Sequence, residues 1–379
     1  MNDEAVQKVM TYKSGNFLFS RKYDADSLRD SLLEARVLQE AVADLPILPS
    51  LAARLEEEVV SKAVFATAAI EGNPLTEEEV SLIEADPDLV KQQGNAQKEI
   101  ANLKRTYGIL KEIESSGEYL DINEELVKSI HKTVTQNIDH AYNEPGAFRN
   151  HKVQVGDKNH GGIYTPPKTL VDIQNLMRHF CDWINSGKLR EQNTIIRAAL
   201  AHYHLGIIHP FADGNGRTAR FLEALILHTG GLKYVSVMLA NYYYKHVDDY
   251  YWAFSGSLRN KDGDLTPFLQ CVLAGYVEAL RELKTKIADL VRRFVIREFL
   301  ISRKNEKAIT MRQYDLLSSL LDNPMAFSLN DLFEKVPFMF LYRDVSERTA
   351  RRDIQRLLKG GFLVEAGNKK YALNTRMLG

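Results

Sequence analysis

The sequence predicts a mostly α-helical protein that carries one short β-hairpin and ends in a small module of three helices and two strands. Three observations predict this. Apolar residues recur at spacings of three and four through most of the chain. One stretch, HKVQVGDKNHGGIYTPP, alternates Val153 and Val155 with polar residues, turns through GDKNHGG and returns at Ile163 and Tyr164. After about residue 290 the order becomes helix, helix, helix, strand, turn, strand.

Composition bounds what such a chain can be. Its 379 residues suit two or three domains, and 45% of them are hydrophobic, enough for real cores. A net charge of −1 does not mark the whole chain as a partner of nucleic acid or of a membrane surface. The two cysteines, Cys181 and Cys271, lie far apart in apolar segments and read as buried, inert thiols. The start, MNDEAVQKVM, lacks the apolar stretch of a signal peptide, and no run of 18 apolar residues is present to span a membrane. The expectation is a soluble, cytoplasmic protein.

In chain order, LAARLEEEVVSKAVFATAAIEGNP is a helix that stops at Gly72-Asn73-Pro74. A new helix begins at Thr76, with Glu79 placed to complete a capping box. Helical stretches follow in NAQKEIANLKRTYGILKEI, NEELVKSIHKTVTQNI, TLVDIQNLMRHFCDWINSG and NTIIRAALAHYHLGII. The hairpin has an open outer edge, which Lys152 and Lys158 would blunt or a partner strand would use. From Ile301 to Gly379 the chain holds 14 Lys and Arg against 9 Asp and Glu. Its helices are MRQYDLLSSLLDN, SLNDLFEKV and SERTARRDIQRLLKGG, the last N-capped by Ser346 and ended by Gly360-Gly361. With FLVEAGNKKYAL as two strands, this order resembles a winged helix-turn-helix.

Residues 209 to 220, HPFADGNGRTAR, concentrate chemistry between two apolar helices. Pro210 stops the preceding helix, so His209 should face a loop, where an imidazole can act as a base near neutral pH. The GNG turn exposes backbone N–H groups at the start of RTARFLEALIL, and a glycine loop leading into a helix N-terminus is an anion cradle. Arg217 and Arg220 share one face of the first turn, where positive charge opposes the helix dipole unless an anion binds. Asp213 stands where a divalent cation would meet phosphate oxygens. A nucleotide-phosphate site is the reading.

The same twelve residues resemble the signature of the Fic family, HPFx(D/E)GNGRxxR, at every defined position. The resemblance covers roughly residues 50 to 280 and takes in EPGAFRN upstream and DDYYWAF downstream. It implies a Fic helical fold with a β-hairpin flap, and a protein adenylyltransferase that moves AMP from ATP to a Ser, Thr or Tyr hydroxyl of a protein target, itself included. It implies that His209 deprotonates the target hydroxyl and Asp213 binds Mg²⁺. Gly214, Asn215 and Gly216 would hold the phosphates, and Arg217 and Arg220 would neutralise the pyrophosphate end. The flap (Val153, Val155, Ile163, Tyr164) would dock the target segment by strand pairing. Tyr250 and Tyr251 would line the adenine pocket, or else serve as core.

TAAIEGN fits the family's inhibitory pattern (S/T)xxxE(G/N) through Thr67, Glu71 and Gly72. The expectation is that Glu71 pairs with Arg220 and leaves ATP an unproductive pose. His202 and His204, two apart on a helix, point in different directions and read as structural. The basic helix (Arg348, Arg351, Arg352, Arg356, Lys359), with Lys369 and Lys370 on the wing, suits a DNA groove, although Glu347 and Asp353 dilute its charge. A protein partner or a homodimer is the alternative use of such a module. The domains expected are 1–105, with the inhibitory helix near 55–72, a Fic core at 106–290, and a winged helix-turn-helix domain at 291–379. Two rival functions remain: a DNA-binding regulator whose Fic part senses nucleotide, or a Fic enzyme that removes AMP or transfers another phosphate-containing group.

Overall fold

The computed structural model describes residues 5–85 and 94–377. The chain divides into two compact units, residues 1–44 with 48–284, and residues 45–47 with 285–379.

The first unit opens with strands β1 (Val6–Met10) and β2 (Asn16–Ser20), an antiparallel pair in register from Val6 opposite Ser20 to Met10 opposite Asn16. The helical reading of the N-terminal region missed this hairpin. Its signal is the alternation of buried Phe17 and Phe19 after a turn that Gly15 makes at φ 79°. Helices α1 (Ala25–Ala43), α2 (Pro49–Ile70), α3 (Glu77–Ala85), α4 (Asn95–Gly108) and α5 (Glu124–Thr135) follow. Pro49 starts α2 at a position where its missing N–H costs nothing. The Thr76–Glu79 capping box forms: Thr76 N–H donates to Glu79 Oε2 at 2.8 Å and Glu79 N–H to Thr76 Oγ1 at 3.3 Å.

Next come α6 (Leu170–Ile184), α7 (Gly187–Arg190), α8 (Thr194–Ile208), α9 (Asn215–Thr229), α10 (Val235–Lys245) and α11 (Val247–Arg259). α12 (Thr266–Asn305) begins in this unit and ends in the second. α9 is the centre: α8, α10, α5 and α2 pack around it. Nearly every residue of α9 is buried, polar Asn215, Arg217, Arg220 and Glu223 included, so the helix is enclosed on all sides although its sequence is not uniformly apolar. Its buried Glu223 accepts from Tyr243 and faces His202 Nδ1, both at 3.0 Å, so the charge is hydrogen-bonded where water cannot reach.

The expected flap hairpin is reduced to one antiparallel bridge. Val155 N–H donates to Tyr164 O at 2.9 Å and Tyr164 N–H to Val155 O at 2.8 Å, while Val153 and Ile163 lie outside the bridge. A ladder cannot extend because Pro166 and Pro167 carry no N–H on the return side.

The second unit contains the end of α12, α13 (Met311–Asp322), α14 (Asp331–Glu334), α15 (Phe338–Tyr342), α16 (Glu347–Lys359), β3 (Leu363–Glu365) and β4 (Tyr371–Leu373). The short α15 was not foreseen. The Ser346 side chain accepts from Thr349 N–H, the N-cap expected for α16. β3 and β4 pair antiparallel, and Leu316, Leu320, Phe327, Phe338, Ile354 and Leu357 form this unit's core. Asp353 was expected to dilute the basic face of α16; it is buried instead, accepting from Arg312 Nε at 2.9 Å and Gln313 Nε2 at 3.0 Å. No helix among the described residues is long and apolar enough to cross a membrane.

Candidate active site

The site lies where α8 ends and α9 begins. His209 caps α8 in the left-handed region, φ 51° and ψ 58°, with its N–H donating to Leu205 O at 2.9 Å. A non-glycine residue holds that conformation only where its surroundings impose it. Here Arg149 does so: its Nε donates to His209 O at 2.8 Å and its backbone N–H to Pro210 O at 2.9 Å. Arg149 Nη2 also donates to Pro167 O at 2.8 Å, tying the flap's return segment to the same point. Burial pushes the His209 imidazole down to about 4, so the ring is neutral at pH 7. Its Nδ1 faces Gly206 O at 3.3 Å, and because a carbonyl only accepts, Nδ1 carries the proton and Nε2 keeps the lone pair.

The loop is braced from beneath. The Asn215 carboxamide accepts from Phe211 N–H and donates to Phe211 O, both at 2.9 Å. Its side chain therefore fixes the turn, which leaves its backbone N–H to face the cradle. His131 lies parallel to Phe211 at 3.7 Å, accepts from Gly146 N–H at 2.9 Å through Nδ1, and donates to Asp213 O at 2.9 Å through Nε2. Gly214 at φ 76° makes the turn into α9, whose first N–H groups have no capping side chain.

The charges are paired across this cradle. Glu71 Oε1 accepts from Arg220 Nη2 at 2.6 Å, and Arg220 also donates to Thr67 O at 3.2 Å. Burial raises the Glu71 carboxyl, but the Arg220 and Arg217 charges outweigh it and hold the group below its ordinary value. A Cβ on Gly216 would stand 2.1 Å from Glu71 Oε1, so the carboxylate sits directly on the start of α9. Arg217 donates to Asp213 Oδ2 and Glu99 Oε1, each at 2.7 Å. The Nε groups of Arg217 and Arg220 are buried without a hydrogen-bond partner. Among the described residues no group of three His, Cys, Asp or Glu side chains gathers to form a metal cage. A cavity of about 340 Å³ joins Glu71, His209, Gly216 and Arg220 to Tyr250 and Tyr251 and to Val155 and Tyr164 of the flap.

Residues 120–227 match the Fic/DOC family. Over those residues the chain is similar to a Fic domain. Its relatives include protein adenylyltransferase fic-1 of Caenorhabditis briggsae, 30% identical over 224 residues, which are 58% of this chain and 40% of that one. Protein adenylyltransferase Fic of Drosophila willistoni is 31% identical over 221 residues, again 58% and 40% of the two chains. The chain thus spans about 40% of the length of the curated relatives it matches. A Fic family protein from Desulfovibrio desulfuricans G20 shares the fold, with a TM-score of 0.57 at 20% identity over 93% of this chain and 97% of that one. Fic-1 of C. elegans gives a TM-score of 0.52 at 23% identity over 67% and 72% of the two chains.

Within this Fic-like domain and the helices packed on it, the structure gathers His209, Gly216, Arg220, Glu71, Tyr250, Tyr251, Val155 and Tyr164 around one cavity. Asp213 and Arg217 adjoin it through the ion pairs above. Thr67 stands one turn before Glu71, its hydroxyl 3.0 Å from Tyr107 Oη, and Gly72 turns the chain at φ 84°. Ile163 is exposed. Tyr250 reaches His202 Nε2 at 3.0 Å and stacks on Tyr243, so it is core and wall at once, while the half-buried Tyr251 donates to Ile70 O at 3.1 Å and is wall. His202 and His204 are buried and hydrogen-bonded in different directions, the latter to Ser20 O at 2.9 Å. Sequence reasoning missed Arg149, His131 and Glu99. Arg149 and His131 act through backbone contacts that no spacing announces, and Glu99 reads as one more charge on an amphipathic helix. It missed His160 as well, which ties the flap to α11 by contacts of 2.9 Å to Asp157 and 2.9 Å to Asp248.

Proposed function

We propose that the chain is a protein adenylyltransferase that transfers AMP from ATP to a Ser, Thr or Tyr hydroxyl of a protein and is held inactive by Glu71. The observation that carries the proposal is a single cradle: a neutral imidazole with Nε2 unprotonated stands beside uncapped N–H groups of α9 and two buried arginines. The unsatisfied Nε donors of Arg217 and Arg220 fit a ligand rich in acceptor oxygens, such as a triphosphate. Adenylyltransferase relatives at about 30% identity support the same reading.

His209 would take the proton of the attacking hydroxyl, worth on the order of 10²–10⁴-fold. The amides of Gly214 to Gly216 and the start of α9 would stabilise the charge that develops on the phosphate oxygens as pyrophosphate leaves. Asp213 is one carboxylate beside a phosphate cradle, the donor set Mg²⁺ takes when it is shared with a nucleotide. Mg²⁺ held there would supply neutralisation of phosphate charge. The bridge at Val155 and Tyr164 would hold the segment that docks the target backbone. Glu71 would exclude the phosphates by occupying both Arg220 and the space over Gly216.

The test compares wild type, Glu71→Gly and Glu71→Gly/His209→Ala with Mg²⁺ and ATP labelled on the α- or the γ-phosphate, alone and in a lysate. Protein label from the α-position only, strongest in Glu71→Gly and absent without His209, is expected. Label from neither position would remove the transferase reading.

A second reading attaches to the other unit. With Asp353 turned inward, Arg348, Arg351, Arg352, Arg356 and Lys359 form the exposed face of α16, diluted only by Glu347. We propose that this face, with Lys369 and Lys370 on the turn between β3 and β4, engages duplex DNA as the winged helix-turn-helix pattern suggests.

A further inference from the structure

We propose that Glu99 is a second masking carboxylate, which occupies Arg217 as Glu71 occupies Arg220, so that two helices jointly shut the phosphate cradle. This rests on reading the cradle as a nucleotide site.

Glu99 lies on α4, remote in sequence from both the motif and the inhibitory helix. Its Oε1 accepts from Arg217 Nη1 at 2.7 Å, with the two side chains 12% and 5% exposed. Arg217 does not need this partner for its orientation, because Asp213 Oδ2 already accepts from Nη2 at 2.7 Å. Glu99 is also in an unfavourable place for a charge. Burial raises its carboxyl, Arg217 and a hydrogen bond from Asn73 offset part of this, and the Glu71 and Asp213 charges raise it further. A carboxylate kept at such a point blocks whatever else would use the guanidinium.

Asn73 links the two masks. Its Nδ2 donates to Glu99 Oε2 at 2.8 Å and to Ala96 O at 3.0 Å, and it follows Glu71 by two residues. The turn at 71–73 therefore delivers one carboxylate to Arg220 and holds the other against Arg217. The cluster has three carboxylates, Glu71, Glu99 and Asp213, for two arginines, with His209 neutral. Such a cluster repels a triphosphate. Displacing Glu71 alone leaves it balanced, and displacing Glu99 as well makes it positive.

The experiment measures the dissociation constants of Mg·ATP and of adenosine for full-length wild type, Glu71→Gly, Glu99→Gln and Glu71→Gly/Glu99→Gln. Glutamine keeps the shape and an acceptor for Asn73 while removing the charge. The double variant is expected to bind Mg·ATP about tenfold more tightly than Glu71→Gly, at the low end of what close charge pairs contribute at interfaces. Adenosine, which carries no phosphate, should bind all four alike. Glu99→Asp, charged but one methylene short of Arg217, should tighten Mg·ATP in the same direction and serves if the glutamine variant is poorly folded. In AMP transfer the gain should fall on KM for ATP, with kcat unchanged.

Unchanged or weaker Mg·ATP binding in the double variant would overturn the proposal and make Glu99 a support for Arg217. Tightening that extends equally to adenosine would overturn it too, since the effect would then be general loosening. Tight Mg·ATP binding without AMP transfer would sink the transferase reading and leave the mask standing. Absence of Mg·ATP binding in every variant would bring down the nucleotide site and the mask together.

Discussion

His209 shows how much a single residue owes to its surroundings. The sequence marks it as a base near neutral pH, but the fold buries it, and burial disfavours the imidazolium. The sign follows directly. On the proposed mechanism the neutral ring is the competent base, so activity is expected above the folded value of about 4 and is lost as pH falls through it. In the Glu71→Gly variant, kcat/KM for AMP transfer should therefore hold level from pH 8 to pH 5.5 and decline only below that. An acid limb near 6.5 would mean that the ring is solvated in the working enzyme. Legibility at this scale divides by mechanism. HPFADGNGRTAR is readable because its chemistry needs particular residue types at fixed spacing. Arg149, which holds His209 in the left-handed region, is silent in the sequence because it works on carbonyl oxygens that any residue possesses.

At the scale of elements, the informative junction is the C-terminal end of α2 against the N-terminal start of α9. A carboxylate in the last turn of its own helix is disfavoured by about 0.3–1 kcal/mol, and the same carboxylate at another helix's N-terminus is favoured by a similar amount. Glu71 ends α2 yet sits on the first turn of α9, so the second helix offsets what the first one costs. This makes Gly216 a point of close approach. In the first turn of α9, Gly216→Ala would ordinarily gain on the order of 0.5–1 kcal/mol of helix propensity. In wild type the new Cβ would meet Glu71 Oε1 at 2.1 Å and break its pair with Arg220. Because Glu71 is partly exposed, that loss is about 1–2 kcal/mol, below the figure for a fully buried pair. Thermal melts should show Gly216→Ala lowering Tm in wild type and leaving it level or raised in Glu71→Gly. Equal shifts in both backgrounds would mean that Glu71 does not occupy the cradle in solution. The stop of α2 at Gly72-Asn73 was legible because helix ends follow local rules. The flap hairpin was legible from its alternation and turn, and its pairing stops at one bridge because Pro166 and Pro167 carry no N–H.

Across the whole molecule, the two units differ in what the sequence discloses. In the first, apolar periodicity and one dense motif made the helical fold and its centre legible, while the opening hairpin of β1 and β2 was hidden by its brevity. In the second, the element order was legible, but the electrostatics were not, because a charge count along a helix does not say which charges face outward. Asp353 neutralises Arg312 inside the unit, so the exposed side of α16 is more basic than its composition. That difference sets a magnitude for DNA binding. Each phosphate neutralised on a duplex contributes about −0.9 to the slope of log K against log salt. Glu347 holds Arg351 in an exposed pair that is easily exchanged for a phosphate, which leaves four or five cations on the face available. The full-length chain should therefore bind duplex DNA with a slope of about −4 from α16 alone, and about −6 with Lys369 and Lys370 also engaged. Arg351→Ala/Arg352→Ala should make the slope shallower by about 2 while leaving Mg·ATP binding untouched. A slope that the double substitution does not change would place any DNA contact elsewhere. Absence of binding at 50 mM salt would remove the DNA reading of this face and leave the proposed nucleotide site unaffected.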